Sequence, residues 1–460
     1  MTARPAVSAL GPGAGSSPGG CKMQRRDFLV RTGLALGAGA FTGFGRAFAG
    51  SPAEAPGRAA TVLGDWDAVR AQFNLSRDHI HLASFFLASH PKPVRDAIDR
   101  HRRGLDESPI GYWFENIDRF EADVLGAAAQ HQGVQPTDIA LTDSTTMGLG
   151  LLYGGLKLRQ GQEILTTRHD HYSTEISLQK RAERTGTTVR SIPLYERIEA
   201  VTEDEIVQSI LKALTPRTRV VAVTWVHSST GLKLPIRKIA DALAPVNAQR
   251  DPADRALLCV DGVHGLGIED VTLPELGCDF FVAGTHKWLF GPRGTGFVWG
   301  KPQAWPAASA IIPTFNHDAY EIWMKTIPPK EIPISATMTP GGFHSFEHRW
   351  ALADAFRFHG GLGKERIAAR THELNRHIKE GLAKIPKVRL LTPMSDSLSS
   401  GIVCFEIDGM KPQAAVDRLR QRRIIASETP YATQYVRVAA SVLNTPEEVD
   451  ATLREIRSLV

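Results

Sequence analysis

The chain has 460 residues, 42% hydrophobic and 22% charged, which is enough for a large core and two domains. Its formal charge of +5 sits in the first 49 residues, where six basic side chains (Arg4, Lys22, Arg25, Arg26, Arg31, Arg46) face one acid, Asp27; with these set aside, 54 basic and 49 acidic residues become 48 of each, and a neutral body argues against a nucleic-acid surface. Four scattered cysteines (Cys21, Cys259, Cys278, Cys404) with no CxxC pair imply no disulfide framework.

Residues 1–22 are rich in Gly, Pro, Ser and Ala and read as a disordered leader, with Met23 as a second possible start. From Met23 the chain runs through Arg25-Arg26, an apolar Gly/Ala-rich stretch at 32–45, and Ala47-Phe48-Ala49. Paired arginines, an apolar stretch and an A-x-A site resemble a twin-arginine export signal. This implies the twin-arginine export machinery as a partner, cleavage after Ala49, and a periplasmic or secreted protein. The apolar stretch is too short and glycine-rich for a membrane span. Residues 50–75 form a linker and an N-terminal segment.

An amphipathic run, Asp65 to Phe73, leads to a short strand at 80–83, a helix from Pro93 to Gly104 and another from Asn116 to Gln130. Strands are then expected at 138–142, 163–166, 188–192, 219–225, 257–260, 279–283 and 296–299. Helices fill the gaps, at 147–156, 174–184, 203–213 and 236–243. Such alternation predicts an α/β domain over 76–360, with a mainly parallel seven-stranded sheet covered on both faces. Ligands of such sheets lie at the carboxyl ends of the strands. Beyond 360 the pattern changes to a long helix at 365–384, strands near 388–391, 402–406 and 434–438, and helices at 411–421 and from Pro446. This predicts a smaller α+β domain over 361–460.

Several predicted strands end in polar residues that do not belong in a core. The run Leu257-Leu-Cys-Val-Asp261-Gly-Val-His264-Gly delivers a carboxylate and an imidazole; Asp279-Phe-Phe-Val-Ala-Gly-Thr-His286-Lys287-Trp288 delivers an imidazole and an amine. An Asp and a Lys at neighbouring strand ends suit pyridoxal phosphate: the Lys forms a Schiff base and the Asp pairs with the pyridinium nitrogen. Asp143-Ser144-Thr145-Thr146 is a hydroxyl-rich turn at a helix start, either an anion site or a plain N-cap. Thr167-Arg-His169-Asp170-His171-Tyr172-Ser173 offers either a metal pair or, through His171 or Tyr172, a ring to stack on a cofactor. Thr224-Trp-Val-His227-Ser228-Ser-Thr-Gly again turns polar at a strand end. No GxGxxG, Walker or HExxH motif is present.

The ordered set DSTT, HDHYS, TWVHSSTG, VDGVHG and GTHKWLFGPRGTG resembles fold-type I pyridoxal-phosphate enzymes of the class V aminotransferase family, and most of all the isopenicillin-N-epimerase-like subgroup. The resemblance covers roughly residues 75–455. It implies that Lys287 links to the cofactor and shuttles the Cα proton, and that Asp261 keeps the pyridinium protonated. His264 would bond the phenolic oxygen and His171 would stack on the ring. Ser144, Thr145, Thr146 and His286 would hold the phosphate. Ser228 joins the cofactor-binding set at a position near which many relatives carry Asn. Arg437, in Tyr435-Val-Arg437-Val, matches the family's carboxylate-clamping arginine; taken alone it reads first as an ordinary strand-end salt bridge. A homodimer is also implied, with the stretch 343–350 near the interface and His344 or Ser345 in place of the partner-subunit threonine that usually reaches the phosphate.

The family's desulfurase branch carries a nucleophilic Cys shortly before this arginine, whereas here the stretch 424–431 has none. Cysteine desulfuration is therefore not expected; the resemblance implies as substrate an amino acid or short peptide with a free α-amino carboxylate, handled in epimerase-like fashion. Aminotransferase or lyase chemistry is the alternative. A metal-dependent hydrolase built on His169, His171, Asp261 and His264, or a non-catalytic protein on the same fold, are the remote ones.

Overall fold

The computed structural model describes residues 64–460. The expected leader, export signal and cleavage site lie outside the described residues.

Seven strands form the central sheet in the order β2-β8-β7-β6-β5-β3-β4. They are β2 (Ile139–Thr142), β3 (Glu163–Thr167), β4 (Thr188–Ile192), β5 (Thr218–Thr224), β6 (Leu257–Asp261), β7 (Phe280–Gly284) and β8 (Gly296–Gly300). Only β8 runs against its neighbours, pairing antiparallel with β2 and β7. The seven-stranded, mainly parallel sheet is thus as expected. All strands except the edge strand β4 are buried along their length, which is why the sequence shows continuous apolar runs rather than alternation.

Alternate residues feed two cores. Leu141, Leu165, Val221, Val223, Leu258, Val260 and Phe281 point to one face. Ala140, Ile164, Val220, Ala222, Cys259 and Val282 point to the other, against Leu149, Leu152 and Tyr153 of the helix Thr145–Gly155. Because side chains alternate, Thr142, Thr224, Asp261 and Gly284, the last residues of their strands, continue this second row.

A smaller antiparallel sheet, ordered β12-β13-β10-β9, uses β9 (Val388–Leu390), β10 (Val403–Ile407), β12 (Ser427–Glu428) and β13 (Val436–Val438). The helices Lys364–Leu382, Pro412–Gln421 and Pro446–Arg457 contribute the rest of its core. The two-residue strand β1 (Ile80–His81) pairs in parallel with β11 (Ile424–Ile425), and Leu82 is buried in this same core. Residues 80–82 therefore pack with the C-terminal layer.

Three helical regions differ from expectation. The helix expected from Asn116 begins at Pro109, whose ring fits a first helical turn. The helices His317–Met324 and Ile334–Met338 were not anticipated. Nor was Phe346–Leu362, which packs against Lys92–Glu107 and Pro109–Gln132. In the stretch 343–350, Phe346 and Trp350 are buried within their own chain, whereas Phe343 is 80% exposed.

Candidate active site

The carboxyl ends of β2, β3, β5, β6 and β7 bring most of the expected residues to one side of the sheet. Asp261 ends β6, is 2% exposed, and accepts the Val263 amide at Oδ1 (3.1 Å). Among the described residues no other hydrogen bond reaches its carboxylate. Burial pushes this carboxyl up to about 6; the Val263 N–H and the charge of Lys287 oppose it, and Asp170 adds to it. Lys287 follows the end of β7. Its amine lies 3.1 Å from Nε2 of His264, with no carboxylate within 4.0 Å among the described residues. Burial draws the amine down to about 8, with Asp261 opposing.

His264 sits in the turn after β6. Gly265, beside it, lies so close to Trp225 that a Cβ there would come within 2.1 Å of the indole. The turn is therefore flush against the core. Burial, then the charge of Lys287, holds this imidazole well below 6.5, so it is neutral. Its Nδ1 is buried without a partner, a cost of about 1–3 kcal/mol unless something binds there.

The hydroxyl turn divides its labour. Ser144 is the N-cap of the helix Thr145–Gly155, its Oγ accepting the Met147 amide (3.1 Å). Thr145 Oγ1 accepts the Gly284 amide (2.7 Å), fastening the helix start to β7. A Cβ on Gly284 would meet both Thr145 Oγ1 (3.0 Å) and the His286 ring (3.2 Å), so glycine is what lets the two stand together. Burial, with Lys287 and Arg293, lowers the His286 imidazole to about 4. Thr146 is exposed and its Oγ1 lies 2.9 Å from Ser173 Oγ. The amides of Thr145 and Thr146, in the first turn, have no intrahelical acceptor and remain available to an anion.

After β3, alternate residues go different ways. His171 caps the helix Tyr172–Thr185, its Nδ1 accepting the Ser173 amide (3.2 Å), and Ser173 Oγ also lies 3.2 Å from that nitrogen. Burial, then Lys287 and Arg437, lowers the His171 imidazole. Tyr172, the other candidate for a stacking ring, is 67% exposed. His169 leaves the site altogether: its ring stacks on Tyr195 at 4.4 Å and its Nε2 accepts the Leu194 amide. Among the described residues no three His, Cys, Asp or Glu gather as metal ligands, so the hydrolase alternative loses its premise.

Between these histidines, Asp170 is buried and accepts four hydrogen bonds, from Thr166 Oγ1 (2.9 Å), the Thr167 amide (2.9 Å) and hydroxyl (2.8 Å), and the Thr224 amide (2.7 Å). It ties the ends of β3 and β5 together.

Arg437, on β13, is 4% exposed. Its guanidinium donates to Ser427 Oγ, the Ser228 carbonyl and the Glu428 carbonyl, each at 3.1 Å. Among the described residues no carboxylate lies within 4.0 Å of it, so the salt-bridge reading is not what the structure contains. Ser228 turns its own hydroxyl to the Tyr431 hydroxyl (2.7 Å), and the Tyr431 ring meets His171 edge-on at 6.3 Å.

Asp170 and Ser173 lie in a motif that the sequence singles out without giving them a role, and neither Tyr431 nor Phe85, beneath Arg437, stands out in the sequence. Only the HDHYS motif itself could have flagged the first two; nothing local flags the others. The residues brought together fit pyridoxal phosphate. A buried amine has no ion pair, and a buried carboxylate has spare acceptor capacity. An orphaned imidazole nitrogen and free first-turn amides complete the set.

Residues 126–452 match the family model described as aminotransferase class-V. Isopenicillin N epimerase of Streptomyces clavuligerus is 26% identical over 401 residues, covering 85% of this chain and 97% of that protein. A probable cysteine desulfurase of Xylella fastidiosa is 26% identical over 366 residues, covering 75% and 81%. Among solved structures, the cystine C-S lyase C-DES in complex with its product cysteine persulfide superposes with a TM-score of 0.73 at 21% identity, covering 83% of this chain and 98% of that one. At that identity the likeness is one of fold.

Proposed function

The chain belongs to the aminotransferase class V family, and from that premise we propose that it is a pyridoxal-5'-phosphate enzyme acting at Cα of an amino acid, or of a short peptide with a free α-amino carboxylate, in epimerase-like fashion. One observation carries this reading: a buried amine without an ion pair (Lys287), a buried carboxylate (Asp261) and a guanidinium bonded only to neutral oxygens (Arg437) share one end of the sheet. When bound, pyridoxal phosphate supplies an aldehyde that condenses with amines and a ring that draws electrons from the adjacent carbon.

The chain's own residues do the rest. Lys287 would carry the covalent link and, as a free amine, would take and return a proton at Cα. Asp261 places a negative charge for the ring nitrogen. His264 offers its unpaired nitrogen to the phenolic oxygen. The first-turn amides, with Thr145, Thr146 and His286, receive the phosphate; Ser144 serves by fixing that helix start. His171 would stack on the bound ring and Ser228 would line the site. Arg437 receives the substrate carboxylate, pairing its planar fork with two oxygens.

Desulfuration needs an accessible thiol. The three described cysteines are buried, and burial pushes the thiols of Cys278 and Cys404 up to about 12. That favours the epimerase-like branch over the desulfurase one. A homodimer is part of the reading, supported by the exposed apolar side chains Ile110, Phe114 and Phe343. Export through the twin-arginine machinery is proposed on the motif alone.

The test is exchange of the Cα hydrogen with solvent deuterium across a panel of amino acids. Asp261→Ala should slow exchange by about 10²-fold or more while amino acids still bind. If the parent exchanges no Cα hydrogen in any of them, the epimerase-like reading and its aminotransferase and lyase alternatives fall together.

A further inference from the structure

Tyr431 is a titratable group at this site that the reading above leaves unused. It lies in the loop between β12 and β13, whose base is pinned by the Thr429 amide to the Tyr435 carbonyl (2.9 Å) and by the Tyr435 amide to the buried Thr429 hydroxyl (2.9 Å). Its hydroxyl meets Ser228 Oγ at 2.7 Å, and the carbonyl of the same Ser228 accepts from Arg437. The phenol is thus held beside the proposed carboxylate clamp.

Its position relative to Lys287 is set by strand order. The sheet runs β7-β6-β5-β3 across this region. Lys287 follows β7 and Asp261 ends β6. Tyr431 touches Ser228, after β5, and His171, after β3. The amine and the phenol therefore reach the site from opposite flanks of β6, the strand that ends in Asp261.

We propose that Tyr431 is the second proton carrier of this site, an acid that delivers a proton to the substrate Cα from the side opposite Lys287. The inference rests on the Cα reading above. In the step, the Cα–H bond breaks, its proton goes to the neutral Lys287 amine, and its electron pair stays with the substrate. A new C–H bond then forms on the other side with the Tyr431 proton. The phenolate left behind is neutralised by the proton that Lys287 gained, returned through solvent, so nothing is oxidised or reduced. Burial raises the Tyr431 phenol to about 12 against the opposing influence of Ser228 and Arg437, which keeps it protonated at neutral pH.

Glycine is the probe, because it carries one α-hydrogen for each side. In deuterium oxide the cofactor-loaded parent should exchange both. Tyr431→Phe keeps the ring against His171 and removes only the hydroxyl; it should exchange one hydrogen and lose the other by about 10²-fold or more. With L-alanine it should incorporate deuterium without inverting. Binding of 2-methylalanine, which has no α-hydrogen, should stay within about twofold of the parent, since no proton transfer from Tyr431 is involved. Exchange of both glycine hydrogens by the variant at parental rates overturns the proposal. So does equal slowing of both together with weakened 2-methylalanine binding, which would make Tyr431 a positioning residue for Ser228. A parent that exchanges neither hydrogen, nor that of any L-amino acid, overturns the Cα reading itself.

Discussion

The guanidinium of Arg437 lies over the ring of Phe85, 4.7 Å from its centroid, and the hydrogen bonds it makes all end on uncharged oxygens. A buried cation arranged this way is held in place without being neutralised. An incoming carboxylate would supply the missing charge.

Arg437→Ala should therefore weaken amino-acid binding by about 1.5–3 kcal/mol, or ten- to a hundredfold. The matching amine without a carboxylate should bind parent and variant alike. Spectroscopic titration with the two ligands checks this, and equal affinity of both proteins for the amino acid would move the carboxylate site elsewhere.

Lys287 gives a pH dependence. In the cofactor-free protein, burial holds its amine down to about 8, with Arg437 adding and Asp261 opposing. The neutral amine is the nucleophile, and its fraction grows as pH rises. Loading with pyridoxal phosphate should accelerate about tenfold per pH unit well below 8 and level off above it. Stopped-flow absorbance measures the rate. Borohydride reduction and peptide mapping should place the pyridoxyl group on Lys287, and a label on another lysine would contradict the assignment.

Glu269 predicts an acid limb of stability away from the site. Its carboxylate meets Lys233 (2.8 Å), His372 Nε2 (3.2 Å) and Ser400 Oγ (2.6 Å). Burial pushes this carboxyl up, but the bonds and charges of His372 and Lys233 outweigh it and hold it down to about 2. The folded value lies below the unfolded one, so the stabilisation is full above pH 4.5 and is lost as pH falls towards about 2. Glu269→Gln should cost about 3 kcal/mol at pH 7. Urea titrations should show the gap between parent and variant closing between about pH 5 and pH 2; a gap independent of pH would refute the linkage.

Replacing Arg25 and Arg26 by lysine should leave the protein in the cytoplasm with its N-terminal segment uncut. Fractionation and N-terminal sequencing measure this. Unchanged export would remove the twin-arginine reading.

The sheet was legible because its strands are buried on both faces and end in polar residues: Val220 to Val223 and Leu257 to Val260 are unbroken apolar runs, and Thr224 and Asp261 stand out after them. The helix Phe346–Leu362 was not legible for the opposite reason. Arg349, Trp350, Ala351, Leu352, Ala353, Ala355, Phe356, Phe358 and His359 are all buried. A helix covered nearly all round loses the one-sided stripe on which periodicity depends. Strands of two residues, such as β11 and β12, are too short to show a period. Within the site, Asp261 and His264 announced themselves in one motif and Lys287 in another. Tyr431 and Phe85 acquire meaning only from partners far off in sequence, Ser228 and Arg437, and no local pattern encodes such a meeting.

The pairing of β1 with β11 joins Ile80 to Ile424. A ribosome releases the first of these early and the second near the end of synthesis. Leu82 must therefore wait, apolar and uncovered, while more than three hundred residues emerge before the layer that buries it exists. Closing so long a loop is slow, and a fragment of the C-terminal layer made alone would lack a strand and a core residue. Truncation from the amino side of the body is thus predicted to unseat the carboxyl-terminal layer first, and with it the strand that carries Arg437.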